Sequence, residues 1–435
     1  MATDFVQELT WRGMLQDSIP GTDALLRTET VNGYIGFDPT ADSLGVGNLV
    51  QVMLLLHFQR AGHKPFALVG GATGMVGDPS GKSAERKQQT EEEVQSNLAG
   101  QRKQLERFLD FNPGPTGAEI VNNYDWVRGM SFLEFLRDVG KHLTVNYMMA
   151  KDSVKNRISG DGDREGMSFT EFSYQLIQGY DYYWLWKHKG MKLQMGGSDQ
   201  WGNILTGTEL IRRMGGGSAF AVTSPLITKG DGTKFGKTEK GNIWLDPKRT
   251  SPYEFFQFWL NASDDDAKKY VRIFTVLDRG TIEGLEATHA GAPHERALQK
   301  TLARDVTERV HGKEGIEAAL AATEVIFGKG TIDQLKALSD EQFLSVFVGA
   351  GVPVADVSRD ALAAGLPLLD LVTEHTKLIA SKGEARKLIE SNAVAVNKVK
   401  VTDVKATVGL SQLINDRYVL LQKGKKDFCL VKTVG

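Results

Sequence analysis

Residues 34–69 read YIGFDPTADSLGVGNLVQVMLLLHFQRAGHKPFALV, and the pattern of this segment indicates the fold class. It opens on the apolar run Tyr34–Phe37, passes through a polar turn into the helical pattern of Leu49–Arg60, and closes on the apolar run Pro65–Val69. Short apolar runs bounded by turns predict buried strands, and Ala61-Gly62 ends the helix between them. A strand, a helix and a second strand in this order indicate a parallel sheet.

The same alternation continues through the first half of the chain. Further apolar runs that predict strands are Ala118–Val121, Met191–Met195 and Ala219–Ile227. Thr90 with Glu93 three residues later predicts the capped start of another helix. We therefore expect an α/β fold with a doubly wound, parallel-sheet (Rossmann-like) domain, whose ligands bind at the carboxyl ends of the strands.

The pattern changes after Asp246, where helical periods dominate. Ser251-Pro252-Tyr253-Glu254 combines an N-cap, a first-turn proline and a capping glutamate. The last segment starts helical and ends in strand-like alternation. We expect five segments, which are an α/β domain (1–228), a lysine-rich mobile loop (229–245), an α-helical domain (246–327), a linker (328–365) and a small α+β C-terminal domain (366–435).

Charge is distributed unevenly along the chain. Residues 366–435 carry 12 Lys and Arg against 7 Asp and Glu, whereas the remaining residues carry 40 against 47. A basic end on an acidic body indicates a polyanionic partner, with a chance excess on a solvated face as the alternative. The single cysteine, Cys429, excludes an intramolecular disulfide and a cysteine metal cluster. This cysteine usage indicates a reducing, cytoplasmic setting. No apolar run approaches the ~20 residues that span a bilayer.

Three loops combine glycines with polar or basic residues. Asp38–Asn48 leads directly into a helix, whose free backbone N–H groups and dipole favour a phosphate. Gly70–Lys82, followed by Arg86, permits close backbone approach and supplies two mobile cations. Asp231–Thr238 places two lysines around a glycine, which suits a lid that closes over triphosphate. An ordinary solvated turn is the alternative for each loop taken alone.

A polar face on one helix is the other candidate site. Tyr174, Gln178 and Asp181 lie at i, i+4 and i+7 of a helical pattern, so they share one face. Such a triplet is costly on a packed face unless its members are paired or meet a ligand, and a structural network is the alternative. No Ser-His-Asp arrangement, paired-carboxylate motif or zinc spacing stands out. The pattern therefore favours a reaction that depends on positioning and charge stabilisation.

These motifs resemble those of bacterial tyrosyl-tRNA synthetases, which are class I aminoacyl-tRNA synthetases, over essentially the whole chain. The motifs that carry the resemblance are Gly36–Leu44, Leu68–Gly81, Asn122–Trp126, Ser168–Asp181, Gly196–Asn203 and Lys234–Thr238. Ser381–Val401 is similar to the RNA-binding module named after ribosomal small-subunit protein four, which accounts for the basic end.

The resemblance implies a homodimer that activates L-tyrosine with ATP, releases pyrophosphate, and transfers the tyrosyl group to the 3′ end of tRNA(Tyr). Magnesium would arrive with the ATP, and no tightly bound cofactor is expected. The helical domain and the C-terminal domain would bind the tRNA. The residues that the resemblance implies for tyrosine are Tyr34 and Asp181 at the phenol, Asp78, Tyr174 and Gln178 at the amino group, and Asn123 and Gln200 nearby.

The nucleotide side follows from the same resemblance. The residues implied for ATP and its adenylate are Gly36, Asp38, Gly47, Gly197, Asp199 and Lys237. The residues implied for catalytic contacts to the phosphates and the departing pyrophosphate are Thr40, Asn48, Lys82, Arg86, Lys234, Lys237 and Thr238.

The chain departs from the family at one catalytic motif. Where the family usually has His-x-Gly-His, this chain has Gly45-Val46-Gly47-Asn48. Asn48 retains an amide donor, whereas Gly45 has no side chain to donate. Ile35 stands where some relatives contact ribose. Two alternatives therefore stay open: a tryptophanyl-tRNA synthetase, against which the Tyr34 and Asp181 pair argues, and a synthetase-derived RNA-binding protein with impaired catalysis.

Overall fold

The computed structural model describes residues 4–78, 80, 89–151, 154–155, 167–230, 232, 235–238, 241–327, 336, 340, 343–344, 347, 352–424 and 427–435. The strands are β1 (Asp17–Ser18), β2 (Asn32–Phe37), β3 (Lys64–Val69), β4 (Glu119–Asn122), β5 (Met191–Gly197), β6 (Phe220–Ser224), β7 (Lys237–Thr238), β8 (Gly241–Asn242), β9 (Val354–Ser358), β10 (Leu366–Pro367), β11 (Val394–Val396), β12 (Val399–Lys400), β13 (Thr407–Val408), β14 (Tyr418–Lys423) and β15 (Asp427–Val434).

The α-helices are α1 (Phe5–Arg12), α2 (Thr22–Thr28), α3 (Val46–Arg60), α4 (Thr73–Val76), α5 (Glu91–Leu105), α6 (Tyr124–Val127), α7 (Phe132–Asp138), α8 (Val145–Met149), α9 (Phe169–Lys189), α10 (Trp201–Leu210), α11 (Pro252–Leu260), α12 (Asp264–Phe274), α13 (Arg279–Gly291), α14 (Ala297–Phe327), α15 (Arg359–Ala363), α16 (Leu368–Asp370) and α17 (Lys382–Glu390). Among the described residues, none of these helices is both long and apolar enough to cross a membrane.

The first sheet has six strands in the order β1-β6-β5-β2-β3-β4. Strands β2 to β6 pair in parallel, and only the short edge strand β1 pairs antiparallel, with β6. The chain moves outward from β2 through β3 to β4 and then returns to place β5 on the other side of β2. The strand order therefore reverses beside β2, which is where doubly wound sheets bind their ligands. This confirms the predicted α/β fold.

Local capping explains where the helices around this sheet begin. The predicted capping box at Thr90 is present, because Thr90 and Glu93 exchange side-chain and backbone hydrogen bonds. Helix α3 begins at Val46, three residues before the predicted Leu49, because Asn48 Oδ1 accepts the Gly45 N–H at 3.1 Å and closes the first turn. Strand β6 is shorter than predicted, since it ends at Ser224.

The chain forms two compact units, which are Met1–Asp246 with Ala262–Leu302, and Pro247–Asn261 with Ala303–Gly435. The predicted helical domain 246–327 is therefore not a unit of its own, because its helices bury their apolar faces against different neighbours. In the first unit Val271 of α12 and Ile282 of α13 share a cluster with the N-terminal Trp11. In the second unit Tyr253 of α11 packs with Ala322 and with later residues of the chain.

The second unit contains a five-stranded sheet in the order β12-β11-β14-β15-β9. Its edge strand β9 pairs in parallel with β15, so Val354–Ser358, which the sequence analysis assigned to the linker, belongs to this sheet. The strand is recruited because Val357 is buried in the same core as Leu371, Ile389 and Val419. The predicted α+β character of the C-terminal segment is confirmed, but the sheet begins before residue 366.

Candidate active site

A cavity of about 300 Å³ lies at the carboxyl ends of β2 and β5, beside the point where the strand order reverses. The loops after β2 and β5 and one face of α9 supply most of its wall. The predicted site residues that line it are Tyr34, Gly36, Asp38, Thr40, Gly47, Asn48, Asp78, Tyr174, Gln178, Asp181, Gly197, Asp199 and Gln200. Sequence motifs separated by more than 150 residues therefore meet at one place.

Asp181 lines this cavity and is 2% exposed. Its Oδ2 accepts a hydrogen bond from Asn123 Nδ2 at 3.0 Å, and its Oδ1 accepts one from Trp126 Nε1 at 2.8 Å. Burial raises the pKa of the Asp181 carboxyl to about 7, although both hydrogen bonds lower it. Each oxygen keeps a second lone pair that a hydroxyl donor in the cavity can use.

Tyr34 lines the same cavity, and its hydroxyl lies within the electrostatic influence of Asp181. Tyr34 is 1% exposed, and its Oη has no hydrogen-bond partner among the described residues. Burial, followed by the charge of Asp181, raises the Tyr34 pKa well above its usual value, so the hydroxyl keeps its proton. A buried hydroxyl without a partner costs about 1–3 kcal/mol. An unpaired donor next to an acceptor carboxylate is a feature that a bound hydroxyl group would satisfy.

A hydrogen-bond chain connects Asp181 to Asp38 and Tyr174. Asn123 Nδ2 also donates to Thr73 Oγ1 at 3.1 Å, and Thr73 Oγ1 donates to Asp38 Oδ1 at 2.9 Å. Tyr174 Oη donates to Asp38 Oδ2 at 3.1 Å. Burial, together with the charge of Asp38, raises the Tyr174 pKa well above its usual value. Tyr174 is therefore a hydroxyl donor at neutral pH.

A second network holds the remaining predicted amino-group ligands. Asp78 Oδ2 accepts from Gln200 Nε2 at 2.7 Å, and Asp78 Oδ1 accepts from the Ser80 N–H at 2.9 Å. Asn203 Nδ2 lies 3.0 Å from Gln178 Oε1 and 3.3 Å from Gln200 Oε1. Carboxylate and amide oxygens on one wall make an arrangement that suits a cationic ammonium group.

The glycine turn before α3 packs against the lysine-rich loop. Gly45 forms an antiparallel bridge with Trp244, and the Val46 N–H donates to the Ile243 carbonyl at 3.0 Å. A Cβ on Gly236, whose φ is +80°, would lie 2.7 Å from Val46 Cγ2, so this position requires glycine. The backbone therefore brings the two predicted phosphate-binding segments together.

Comparison with known proteins identifies the family. Residues 26–328 match the tRNA synthetases class I (W and Y), and residues 345–431 match the tyrosine–tRNA ligase SYY-like C-terminal domain. The chain is 57% identical to the tyrosine–tRNA ligase of Bacteroides fragilis over 98% of this chain and 99% of that protein. It is 56% identical to that of Cytophaga hutchinsonii over 99% of both. The chain belongs to the class I tyrosine–tRNA ligases.

Solved structures agree with this family assignment. A C-terminally truncated mitochondrial tyrosyl-tRNA synthetase of Aspergillus nidulans aligns with a TM-score of 0.65 at 31% identity, over 73% of this chain and 92% of that one. A Plasmodium falciparum tryptophanyl-tRNA synthetase aligns with a TM-score of 0.51 at 14% identity, over 78% of this chain and 87% of that one, which shows the fold alone. The fold is thus shared by tyrosine and tryptophan enzymes, and the full-length relatives decide for tyrosine. The predicted enzyme class is confirmed, and the RNA-binding alternative is not favoured.

The remaining predicted residues of the synthetase site have different positions. Asn123 is fully buried and acts behind the wall, through Asp181. Lys237 and Thr238 form β7, which pairs with β8. Lys82, Arg86 and Lys234 lie outside the described residues. Within the described part of the chain, no group of three or more His, Cys, Asp or Glu residues is arranged to hold a metal ion.

Sequence reasoning missed several residues that organise the site. They are Thr73, which bridges Asn123 and Asp38, Trp126, which donates to Asp181, and Asn203, which contacts Gln178 and Gln200. Gln194 also lines the cavity, and its Oε1 is buried without a partner among the described residues. Thr73, Trp126 and Asn203 lie inside motifs that signalled the family, and Gln194 lies two residues before one, but their neutral side chains carry no signal of their own.

Proposed function

We propose that this chain catalyses tyrosine activation by binding L-tyrosine with its phenol at Tyr34 and Asp181. The observation that carries the proposal is that the unpartnered Tyr34 hydroxyl and the Asp181 acceptor carboxylate line the same cavity and interact electrostatically. A phenol hydroxyl donates one hydrogen bond and accepts another, so it satisfies both groups. A tryptophan indole has a donor but no acceptor, and it would leave the Tyr34 donor unpaired.

The other end of the amino acid is held by the second network. The tyrosine ammonium group binds the oxygens of Asp78, Tyr174 and Gln178, with Gln200 adjacent. The hydrogen bonds among Asp78, Gln200 and Asn203 support this because they hold the acceptor oxygens before the substrate arrives. Preorganised acceptors avoid the free energy of ordering side chains during binding.

ATP binds across the glycine turns, next to the tyrosine carboxylate. The residues that contact the adenylate are Gly36, Asp38, Gly197 and Asp199. Those that lie toward its phosphates are Thr40, Gly47 and Asn48. A Cβ at Gly47 would meet nothing within 4 Å, so the open space in front of α3 leaves room for a phosphate. The tyrosine carboxylate attacks the α-phosphate, and pyrophosphate leaves toward Lys82, Arg86, Lys234, Lys237 and Thr238. Magnesium accompanies the ATP as counter-ion to its phosphates.

Because Gly45 has no side chain, another group must supply the transition-state contact that the first histidine of the usual His-x-Gly-His motif makes. The Asn48 oxygen is already used by the Gly45 N–H, so only the amide N–H₂ of Asn48 is available to a phosphate. Losing a single transition-state donor costs on the order of 3 kcal/mol, or about a hundredfold in rate. We propose that the lysine-rich loop compensates, because Gly236 packs directly on the first turn of α3.

The family further implies tRNA(Tyr) as acceptor, a homodimer and a cytoplasmic location. Support for the dimer comes from exposed apolar side chains on α7, α8 and the start of α9. They are Phe132 (63% exposed), Leu133 (76%), Leu136 (42%), Val145 (59%), Met149 (42%) and Phe169 (67%). These three helices also pack residues against one buried cluster, so the exposed apolar side chains belong to neighbouring helices. Exposed apolar patches mark protein interfaces.

Tyrosine-dependent ATP–pyrophosphate exchange tests the proposal. We expect exchange in the unmodified chain with tyrosine and none with tryptophan. Gly45→His and Asn48→His serve as comparison variants, with the constraint that a Cβ at Gly45 would lie 3.3 Å from the Ile243 carbonyl oxygen. Exchange restored only by a histidine would show an intact but disabled site. Absence of exchange in all three proteins would contradict the proposed function.

A further inference from the structure

A column of stacked rings stands directly behind the phenol-binding carboxylate. The indoles of Trp126 and Trp184 are stacked with their centroids 4.3 Å apart and their planes 10° apart. The imidazole of His188 stacks on the outer face of Trp184 at 4.4 Å and 24°. The inner ring of the column, Trp126, donates its Nε1–H to Asp181 Oδ1 at 2.8 Å.

The column is anchored on the same helix as the carboxylate. Asp181, Trp184 and His188 lie at i, i+3 and i+7 of α9, so they share one face of a 21-residue helix. Trp126, in contrast, sits on α6, which has four residues and no side-chain cap. Trp126 also packs against the buried cluster that contains Tyr34 and Tyr182. The stack on Trp184 is therefore one of the tertiary contacts that orient the Trp126 ring, together with this packing and the hydrogen bond to Asp181.

We propose that Trp184 is a positioning residue for tyrosine specificity, because its indole holds the Trp126 N–H on the Asp181 carboxylate. The inference rests on the proposed function of Asp181 and Tyr34 as the phenol site. The acceptor, Asp181, is itself a residue of α9. The donor, Trp126, is held against α9 by its stacking on Trp184. Asp181 is thereby left with a lone pair in a fixed direction for the substrate hydroxyl. Trp184 contacts neither substrate in this arrangement.

Burial makes this support important. Asp181 is nearly inaccessible, and its carboxylate relies on the Asn123 and Trp126 donors in place of water. Without the Trp126 donor the buried carboxyl would hold its proton more tightly, since this hydrogen bond lowers its pKa. A protonated or rotated carboxyl accepts the phenol proton poorly. Phenylalanine has no hydroxyl, so its use is insensitive to this change.

A double-mutant cycle tests the proposal, with discrimination between tyrosine and phenylalanine in ATP–pyrophosphate exchange as its readout. Trp126→Phe keeps the ring but removes the N–H, and we expect discrimination to fall about tenfold. Trp184→Leu removes the stack, and we expect a fall of about threefold to tenfold. If Trp184 acts through the indole of Trp126, adding Trp184→Leu to Trp126→Phe produces no further loss. Multiplicative losses, or equal effects on both amino acids, would overturn the proposal.

Three further variants separate positioning from a general structural role. Trp184→Phe keeps a stacking ring, and we expect it to lose no more than about threefold; it replaces Trp184→Leu in the cycle if that variant does not fold. Trp186→Leu is the matched control, because Trp186 lies on the same helix and borders the same cluster as Trp184, but stacks on Tyr183 and packs against Gly215 and Gly217. We expect it to leave discrimination unchanged. His188→Ala removes only the outer ring, and we expect a loss below about twofold. The KM for ATP should not change in any of these variants.

A failure of the Trp184 proposal can be distinguished from a failure of the proposed function by measuring tyrosine binding. If the unmodified chain shows no exchange, the cycle is repeated on the dissociation constant of L-tyrosine by calorimetry, which needs no catalysis. Trp126→Phe should then weaken tyrosine binding about tenfold, and Trp184→Leu should add nothing to it. Additive weakening in calorimetry would overturn the stacking proposal.

Discussion

Replacing Tyr34 by phenylalanine should stabilise the ligand-free protein while it damages specificity. Tyr34 is 1% exposed and its hydroxyl has no partner among the described residues. Its ring meets Tyr182 edge to face at 5.4 Å, and phenylalanine preserves that contact. Because the substitution deletes an unsatisfied buried hydroxyl and leaves the packing intact, the free energy of unfolding should rise by about 1 kcal/mol.

The same substitution should lower the discrimination between tyrosine and phenylalanine. With tyrosine bound, Tyr34→Phe loses one neutral hydrogen bond, worth about 0.5–1.5 kcal/mol. With phenylalanine bound, the variant no longer leaves a buried hydroxyl facing an apolar ring, which gains about 1 kcal/mol or more. Both effects lower the ratio of kcat/KM for tyrosine to kcat/KM for phenylalanine, so their free energies add. We therefore expect discrimination to fall roughly tenfold to hundredfold, at about 1.4 kcal/mol per factor of ten.

The assay pairs urea unfolding without substrate with ATP–pyrophosphate exchange on both amino acids. Tyr182→Phe is the matched control, because Tyr182 lies in the same cluster but its hydroxyl is fully used. Tyr182 Oη lies 2.7 Å from the Phe220 carbonyl and 2.8 Å from the Lys192 carbonyl, and it accepts the Phe220 N–H. Tyr182→Phe should destabilise by about 2 kcal/mol without changing discrimination. The reasoning is refuted if Tyr34→Phe destabilises the chain, or if discrimination is unaffected.

Three other predictions concern ionisation, capping and assembly. The folded chain holds the Asp181 proton up to about pH 7, whereas an unfolded aspartate releases it near pH 4, so this group makes folding less favourable as pH rises through that window. Between pH 5 and 7 the free energy of unfolding of Asp181→Asn should rise relative to that of the unmodified chain, by up to about 1.4 kcal/mol per pH unit. The same pH dependence in both proteins, measured by urea unfolding, would contradict this. Asn48→Ala removes the acceptor of the Gly45 N–H and should cost about 0.5–1 kcal/mol in thermal unfolding; an unchanged midpoint would argue against the cap. Leu133→Glu, on the exposed apolar face, should shift the mass measured by light scattering from dimer to monomer, and a mass unaffected by the charge would show that dimerisation does not use this face.

Much of the site was predictable because its residues are charged or conformationally special. Asp78, Asp181 and the glycine turns carry chemical signals that survive in a linear sequence, and the family resemblance assigned them roles. Thr73, Trp126 and Trp184 carry no such signal. A threonine or tryptophan acquires its function from one neighbour at the right distance, as when Trp126 meets Asp181 across 55 positions of sequence.

The domain boundaries show the same division. Periodicity located the helices α11 to α14 but could not say against which unit each packs, since amphipathic helices have similar patterns whatever covers their apolar face. The structure divides them between two units. It also recruits Val354–Ser358 into a sheet through pairing with β15, a strand that follows it by about 70 residues in the sequence.

Local sequence signals were enough to predict the α/β class, the strand–helix alternation of the first half, the family and the charged residues that line the cavity. These follow from local periodicity, capping residues and motif spacing, which are properties of neighbouring positions. The folded chain was needed to learn which strands lie side by side, that the Tyr34 hydroxyl has no partner among the described residues, and that the indole bonded to Asp181 stacks on a second indole. Those features depend on contacts between distant segments, whose distances are set when the core packs.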